Sequence, residues 1–172
     1  FPNSIPSDAY AQIAEITKHT GAMLVVDAEK DLVEPVLPYQ PLFIKPNKDE
    51  LEVMFNTTVS SDQDVVKYGK EILKKGAQSV IISLGGDGAV YVDEQQSIKA
   101  VNPQGKVINT VGSGDSTVAG MVAGLESGLS IQDAFKQAVA SGTATAFEED
   151  LATRDAIEKI KSQVTVSVLD GE

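Results

Sequence analysis

The sequence contains no cysteine and no tryptophan, and it has only one histidine. Without cysteine the chain can form neither disulfide bonds nor thiolate metal sites. The one histidine, His19, falls at the polar end of a predicted helix, so zinc sites and serine–histidine or cysteine–histidine catalytic triads lack their parts. The absence of cysteine is compatible with a reducing compartment, and we expect a cytoplasmic protein.

Long hydrophobic runs and an excess of positive charge are also missing. Lysine and arginine number 14 against 25 aspartates and glutamates, which gives a formal net charge of -11. Such a charge argues against nucleic acid or an anionic membrane surface as a partner. No stretch approaches the ~18 apolar residues of a membrane span. The first six residues lack the basic and apolar regions of a signal peptide.

The remaining composition is that of an ordinary globular domain. The chain has 172 residues, of which 42% are hydrophobic and 23% charged, enough for one domain with a substantial core. Short apolar runs at 23–27, 42–44 and 79–84 predict buried strands, and they alternate with helical patterns. This order predicts an α/β fold over residues 1–172, with helices on both faces of a largely parallel sheet and an antiparallel hairpin in its middle.

The apolar periodicity and the turn residues also predict the individual elements. The first helix is expected to run to about residue 20 with residue 7 or 8 as its cap, and to have Tyr10, Ile13, Ala14 and Ile16 facing inward. Further helices are predicted at 30–37, 47–55, 61–75, 113–128, 131–147 and 153–161. The hairpin is expected from strands at 79–84 and 89–92 with a third strand at 97–101, and a closing strand is predicted at 164–169.

Polar and glycine-rich segments follow several predicted strands. In parallel α/β sheets the binding crevice lies beyond the carboxyl ends of the strands. Asp27, the segment Lys45–Asn47, the turn Gly85–Gly88 and the loop 112–115 all belong at those ends. We therefore expect a binding site there, although Lys45 by itself is read as a solvated charge.

The strongest functional signal is the stretch Asn109–Ser116, with the sequence NTVGSGDS. Gly112 and Gly114 flank one small residue immediately before a predicted helix. Bare backbone amides and the positive end of the helix dipole would together attract an anion. Asp115 would then lie beside that anion, as expected of a base that deprotonates an attacking hydroxyl group. The alternative is a simple tight turn, followed by an acid that the helix dipole alone favours.

Two common phosphate-binding loops are excluded. The stretch has no Gly-Lys-Ser/Thr sequence and is therefore not a P-loop. The dinucleotide fingerprint requires a third glycine where Thr117 stands, in an early strand–helix unit.

Three other segments keep two interpretations each. Asn47 and Glu50 have the spacing of a capping box, which we favour, but an amide and a carboxylate could also contact hydrated Mg²⁺. Gly85–Gly88 is either a hairpin turn or a place where a ligand approaches the backbone closely. The small residues at 140–145 favour close helix packing over a wall against an aromatic base.

Taken together, these segments resemble the ribokinase-like (PfkB-type) carbohydrate kinases. Asn109–Asp115 is similar to the family's C-terminal signature, Asp/Asn-Thr/Ser-x-Gly-Ala/Ser-Gly-Asp. Asn47 and Glu50 are similar to its magnesium-associated motif, and Ser83–Gly88 to its nucleotide loop. Order and spacing agree along essentially the whole chain. Within the family, the segments 44–47, 109, 144–147 and 150–153 resemble bacterial 1-phosphofructokinases most, with tagatose-6-phosphate kinases next.

The resemblance implies a three-layer α/β/α fold, ATP and Mg²⁺ as cofactors, and phosphorylation of a sugar phosphate such as fructose 1-phosphate. It implies Asp115 as the base, an anion hole from the amides of Gly112, Ser113 and Gly114, and Asn47 and Glu50 beside Mg²⁺. The residues implied to border ATP are Ser83, Leu84, Gly85, Gly86, Asp87, Gly88, Val111, Gly112, Gly114, Ser141 and Thr143.

The sequence also departs from the family pattern. The family's N-terminal part, with its sugar-binding Gly-Gly motif and lid strands, is not present, and Phe1–Pro6 resembles a mid-chain segment. We therefore expect a partial kinase with little activity alone and with an open sheet edge that permits homodimer formation. A non-catalytic nucleotide-binding or interaction module is the alternative of another class.

Overall fold

The computed structural model of the chain describes residues 8–27 and 30–169. The segment Phe1–Pro6, discussed above, lies outside these ranges. The helices are α1 Ala9–Thr20, α2 Lys30–Val33, α3 Lys48–Phe55, α4 Asp62–Lys74, α5 Ser113–Glu126, α6 Ile131–Ala146 and α7 Arg154–Lys161. The strands are β1 Val25–Val26, β2 Phe43–Ile44, β3 Val80–Ser83, β4 Ala89–Val92, β5 Ser97–Val101 and β6 Thr165–Val168.

The six strands are hydrogen-bonded neighbours in the order β1-β2-β3-β4-β5-β6. This mixed sheet with helices confirms the predicted α/β class. The described residues divide into two compact units: the first contains residues 8–27, 30–83 and 90–97, and the second contains Leu84–Ala89 and Ile98–Leu169. None of the described helices combines the length and apolarity that a membrane span requires.

In the first unit, β1, β2 and β3 are parallel, as predicted. Phe43, Ile44 and the side chains of Val80–Ile82 are almost fully buried, as expected for parallel strands covered on both faces. β2 is only two residues long, and it lies between Pro41 and Pro46. Proline donates no backbone hydrogen bond, so these residues limit how far the ladder can extend.

The orientation predicted for the first helix is partly wrong. Ala14 is fully buried, but Ile13 and Ile16 are 54% and 60% exposed. The described contacts of α1 within the first unit are mainly with the segment Glu34–Tyr39, and a short segment covers only a narrow stripe of a helix. Apolar periodicity therefore identified the helix correctly but not the width of its buried face.

The predicted helix at 30–37 is α-helical only in its first turn. α2 ends at Val33, and Glu34–Tyr39 continues as a 3₁₀ helix. Pro35 and Pro38 have no amide hydrogen and cannot donate the bonds that an α-helix requires.

Helix α4 begins with a capping box. The Ser61 hydroxyl accepts a hydrogen bond from the Asp64 amide, while the Asp64 carboxylate accepts one from the Ser61 amide. The same carboxylate accepts two more bonds from the backbone and the hydroxyl of Ser60. These bonds satisfy backbone donors that the start of a helix otherwise leaves free.

In the second unit, β5 and β6 are antiparallel, and α5 packs against α6 through small residues. A Cβ atom on Gly120 would lie 2.9 Å from the Ala138 Cα, and one on Gly124 would lie 2.9 Å from the Ala134 Cα. Real Cβ atoms essentially never approach so closely. Glycine at both positions thus allows the two helix backbones to approach each other.

Candidate active site

In the first unit, the carboxyl ends of three parallel strands bring four predicted positions together. Asp27 follows β1, Lys45 follows β2, and Asn47 pairs with Ser83 in an isolated parallel bridge. The Ser83 amide also donates to the Pro46 carbonyl at 3.0 Å. The strand-end rule therefore located these residues correctly within this unit.

The expectation that Lys45 is a solvated charge is wrong. Its side chain is 9% exposed, and its Nζ lies 3.3 Å from an Asp27 carboxylate oxygen, whose side chain is 31% exposed. A buried ammonium group is costly unless it is paired, and Asp27 supplies the pairing charge. Adjacent parallel strands place the two side chains side by side, a relation that sequence spacing does not reveal.

Asn47 and Glu50 form the capping box of α3. The Asn47 side-chain oxygen accepts from the Glu50 amide at 2.8 Å, and one Glu50 carboxylate oxygen accepts from the Asn47 amide at 2.7 Å. The other carboxylate oxygen has no hydrogen-bond partner among the described residues. These residues fit contact with Mg²⁺ through its bound water. In the described ranges, no cluster of three or more acidic or histidine residues could enclose a metal ion directly.

The neighbouring carboxylate of Glu52 stabilises the loop that follows α3. The pKa of Glu52 is lowered from its usual value, first because the Val59 amide donates to the carboxylate and then through Lys48. Glu52 accepts the Val59 amide bond at 2.8 Å and lies 3.2 Å from Lys48 Nζ. Its charge therefore holds the turn after α3 to the helix.

In the second unit, the glycine-rich loop forms the start of α5. Gly112 is the N-cap residue in the left-handed conformation, with φ of 78°. Glycine adopts this conformation without strain, whereas most residues do not. Asp115 lies in the first helical turn and is exposed. Its carboxylate has no hydrogen-bond or ion-pair partner in residues 8–27 and 30–169.

The amides of this loop differ in their availability. The Ser113 amide donates to the Thr110 carbonyl at 3.2 Å, so it can bind an anion only by giving up that bond. For Gly112 and Gly114, no backbone acceptor is present in the described part of the chain. These two amides and the dipole of a 14-residue helix therefore remain available for an anion.

Asn109 shapes the approach to this loop. Its side-chain oxygen accepts from the Val111 amide at 3.0 Å, and its side-chain nitrogen donates to the Glu149 carbonyl at 3.2 Å. One amide group thus forms a local turn and also ties it to the segment after α6. The signature's first position therefore has a structural role that the sequence reasoning did not assign.

The loop is also fixed to α6. The Ser113 hydroxyl donates to the Gly142 carbonyl at 2.9 Å. A Cβ atom on Gly142 would collide with Thr117 Oγ1 and lie 2.9 Å from the Ser113 carbonyl oxygen. The start of α5 therefore rests directly on the backbone of α6.

The turn after β3 combines a fixed base with an open tip. Leu84 N–H donates to the Gly88 carbonyl at 2.8 Å, and a Cβ atom on Gly88, where φ is 94°, would collide with the Ala100 carbonyl oxygen. Gly85 and Gly86 face open space, with no heavy atom within 4 Å of an added Cβ. Glycine at 86 therefore has no steric cause among the described residues, whereas glycine at 88 does.

The hydroxyl groups predicted on α6 are buried. Ser141 and Thr143 are 4% and 6% exposed, which agrees with the close packing favoured for this segment. Ser141 donates to the Gln137 carbonyl, and Thr143 donates to the Asn102 side-chain oxygen at 2.9 Å. Asn102 was not predicted, because a single asparagine after a strand carries no motif that distinguishes it from an ordinary loop residue.

The sequence profile described as "pfkB family carbohydrate kinase" matches residues 1–157. The chain belongs to the pfkB family of carbohydrate kinases. The ribokinase-like class that the motifs implied is thereby confirmed.

Several pfkB-family proteins resemble the chain closely. It is 39% identical to the 1-phosphofructokinase of Bacillus subtilis, with 98% of this chain and 56% of that protein covered. It is 36% identical to the D-tagatose-1-phosphate kinase of Bacillus licheniformis, with the same coverage. A crystal structure from Staphylococcus aureus, provisionally named a phosphofructokinase, superposes with a TM-score of 0.96 and is 81% identical, over 100% of this chain and 56% of its own. The chain spans about half the length of the curated relatives it matches.

Proposed function

We propose that the complete protein transfers a phosphoryl group from ATP to a sugar phosphate, converting fructose 1-phosphate to fructose 1,6-bisphosphate. The observation that carries this proposal is the start of α5, where Asp115, exposed and without a partner among the described residues, lies in the first helical turn next to the open amides of Gly112 and Gly114 in sequence. Phosphoryl transfer depends mainly on positioning and charge stabilisation, and these groups can supply both. Tagatose phosphates are the alternative substrates, favoured by the similarity to the Bacillus licheniformis kinase.

In this proposal, Asp115 accepts the proton of the sugar hydroxyl group as that oxygen attacks the γ-phosphorus of ATP, while the bond from this phosphorus to the bridging oxygen breaks and ADP leaves. The amides of Gly112 and Gly114 stabilise the negative charge of the transferring group, and Ser113 holds them against α6. ATP extends along the turn 83–88 and the loop residue Val111. Asn47 and Glu50 would hold hydrated Mg²⁺, which supplies charge neutralisation at the phosphates.

The test is Asp115→Asn in the complete protein, assayed for phosphoryl transfer from ATP. Loss of the base should lower kcat by about 10²–10⁴-fold, with little change in the KM for ATP. Asp133→Asn is a matched control, because Asp133 is also an acid in the first turn of a helix. The control should stay within a few-fold of wild type. An Asp115→Asn rate that also stays within a few-fold would refute the assignment of the base.

We also propose that residues 1–172 alone bind Mg-ATP but turn over sugar phosphates poorly, because the relatives' remaining length would carry the sugar side. Calorimetry with Mg-ATP and with each sugar phosphate, on the chain alone and on the complete protein, separates this from a non-catalytic module. If even the complete protein binds nucleotide but no sugar phosphate, the non-catalytic module is correct. Self-association and a cytoplasmic location stay predictions, which sedimentation and fractionation would test.

A further inference from the structure

Asn102, immediately after β5, uses both ends of its side-chain amide. Its Nδ2 donates to the Gly85 carbonyl at 3.1 Å, and its Oδ1 accepts from the Thr143 hydroxyl at 2.9 Å. Asn102 is half-buried and Thr143 is buried. A single side chain thus connects the glycine turn to the middle of α6.

The glycine turn, residues 85–88, has few contacts of its own that hold its tip in one conformation. Its tip, Gly85 and Gly86, makes no steric contact with other described residues at the positions where side chains would start. Within the turn, the Asp87 and Gly88 amides donate bonds of 3.3 Å and 3.2 Å, respectively just beyond and at the upper limit of the usual range for N–H···O bonds. A glycine-rich segment loses more backbone freedom on ordering than other segments do. A hydrogen bond to Gly85 from outside the turn therefore restricts a segment with few restraints of its own.

At its other end, the connection reaches the buried part of α6. Thr143 lies in α6 between Gly142 and Ala144, where every residue from Ala138 to Thr145 is buried. Gly142 in turn accepts the Ser113 hydroxyl bond that fixes the start of α5. Asn102 thus connects the turn to α6, the same helix that holds the Gly112–Asp115 loop.

We propose that Asn102 is a positioning residue for nucleotide binding, one that holds the Gly85–Gly86 tip in the conformation that ATP contacts. The inference rests on the proposed function and extends it to a residue outside all the motifs. Asn102 acts through the Gly85 carbonyl and need not touch ATP. Preorganising the tip avoids an ordering cost at the moment of binding, and removing the tether should therefore weaken nucleotide affinity.

Asparagine is chemically suited to this role because it offers a donor and an acceptor on one short side chain. Asn102→Asp keeps the acceptor for Thr143 but replaces the donor with a second oxygen that faces the Gly85 carbonyl. Asn102→Ala removes both bonds. Thr143→Val removes only the bond to α6. Gln104→Ala is the matched control, since Gln104 is an exposed residue of the same loop and makes no hydrogen bond within the described residues.

The experiment is calorimetric titration of Mg-ATP into the full 172-residue chain and these variants. We expect Asn102→Ala and Asn102→Asp to raise Kd about tenfold, equivalent to about 1.4 kcal/mol, and Thr143→Val to raise it less. Gln104→Ala should bind like wild type. Because Thr143 acts through Asn102, the double variant Asn102→Ala/Thr143→Val should bind no more weakly than Asn102→Ala.

Hydrogen exchange of the free chain provides a readout that does not depend on ATP. The Asp87 and Gly88 amides should exchange faster in Asn102→Ala than in wild type or Gln104→Ala, while amides in the interior of α6 keep their rates. Faster exchange confined to the turn supports the tether. An equal increase throughout the second unit would mean general destabilisation and would overturn the positioning role.

The outcomes separate the two proposals. If wild type binds Mg-ATP and Asn102→Ala binds equally well, the positioning role is wrong while the proposed function stands. If the effects of the two single variants multiply in the double variant, Thr143 acts independently and the connection is refuted. If the wild-type 172-residue chain does not bind Mg-ATP, the positioning role fails together with the proposal that this chain alone binds nucleotide, while the function proposed for the complete protein is tested separately by Asp115→Asn.

Discussion

The ammonium group of Lys45 lies 3.3 Å from the carboxylate of Asp27, across the ends of two adjacent parallel strands. The lysine side chain is nearly inaccessible, while the aspartate is about one-third exposed. The pair therefore places a shielded positive charge at the carboxyl edge of the first unit's strands, in a chain whose net charge is strongly negative. Its energetic role can be tested directly.

Replacing Asp27 by alanine should destabilise the protein, because it leaves the buried Lys45 charge without a partner. We expect a loss of about 2 kcal/mol in urea unfolding, below the value for a fully buried pair because Asp27 is partly exposed. Lys45→Met should cost less, since it removes the charge together with its need for a partner. Glu71→Ala is the control: it breaks an exposed pair with Lys74 and should cost less than about 1 kcal/mol. Equal losses for Asp27→Ala and Glu71→Ala would contradict this account.

Alanine should destabilise the protein at Gly88 but leave its stability almost unchanged at Gly86. Gly88→Ala combines a positive φ with a collision against the Ala100 backbone, so we expect a loss of about 3 kcal/mol or more in urea unfolding. Gly86→Ala meets open space and no positive φ, and should change stability by less than about 0.5 kcal/mol. The same variant should weaken Mg-ATP binding if the nucleotide lies on the tip. A stable Gly88→Ala protein would show that the turn is not held as described.

Asn109→Asp should weaken the loop before α5. The variant keeps the acceptor for the Val111 amide, but it replaces the donor to the Glu149 carbonyl with a negatively charged oxygen. We expect a loss of about 1 kcal/mol in the free energy of unfolding, because the bond is exposed and water can take the place of the lost donor. Asn109→Ser, which also lacks the donor but adds no charge, is the comparison and should lose less. Calorimetric unfolding at neutral pH distinguishes them, and equal stability of Asn109→Asp and wild type would contradict the contact.

The loss of stability at acidic pH should depend in part on Asp64. Its pKa is lowered from its usual value near 3.8, chiefly by the Ser60 amide and then by the Ser60 and Ser61 hydroxyls. A pKa lowered on folding adds stability above the unfolded-state value, and this contribution disappears as the pH falls through the folded-state value. Wild type should therefore exceed Asp64→Asn in urea midpoint at pH 7, with the difference shrinking below about pH 4. A difference that stays constant down to pH 2.5 would exclude this linkage.

The sequence predicted the order and type of most elements because its local signals agree with the fold. Capping residues Asn47, Ser61, Ser130 and Thr153 all begin helices in the structure. The errors arose where tertiary contacts decide the outcome. The exposure of Ile13 depends on how much surface a neighbouring segment covers, and the burial of Lys45 depends on which strand lies beside β2.

The same distinction between local sequence signals and tertiary contacts applies to the candidate site. Gly112 and Asp115 could be recognised because a left-handed N-cap and an acidic first turn have local sequence signatures. Asn102 could not, because its two partners lie 17 and 41 residues away in sequence. Side-chain bonds of this kind form between elements that only folding brings together.

The close packing of α5 against α6 limits which amino acids the protein can accept along this contact. At Gly120, Gly124 and Gly142, an added methyl group would lie 2.9 Å from a main-chain atom of the facing helix, so a change of side-chain rotamer alone cannot make room for it. We therefore expect a larger residue at Gly120 or Gly124 to displace α5, the helix whose first turn contains Asp115. Sequence variation should therefore be restricted where α5 and α6 are in contact, and tolerated on the exposed faces of the same helices.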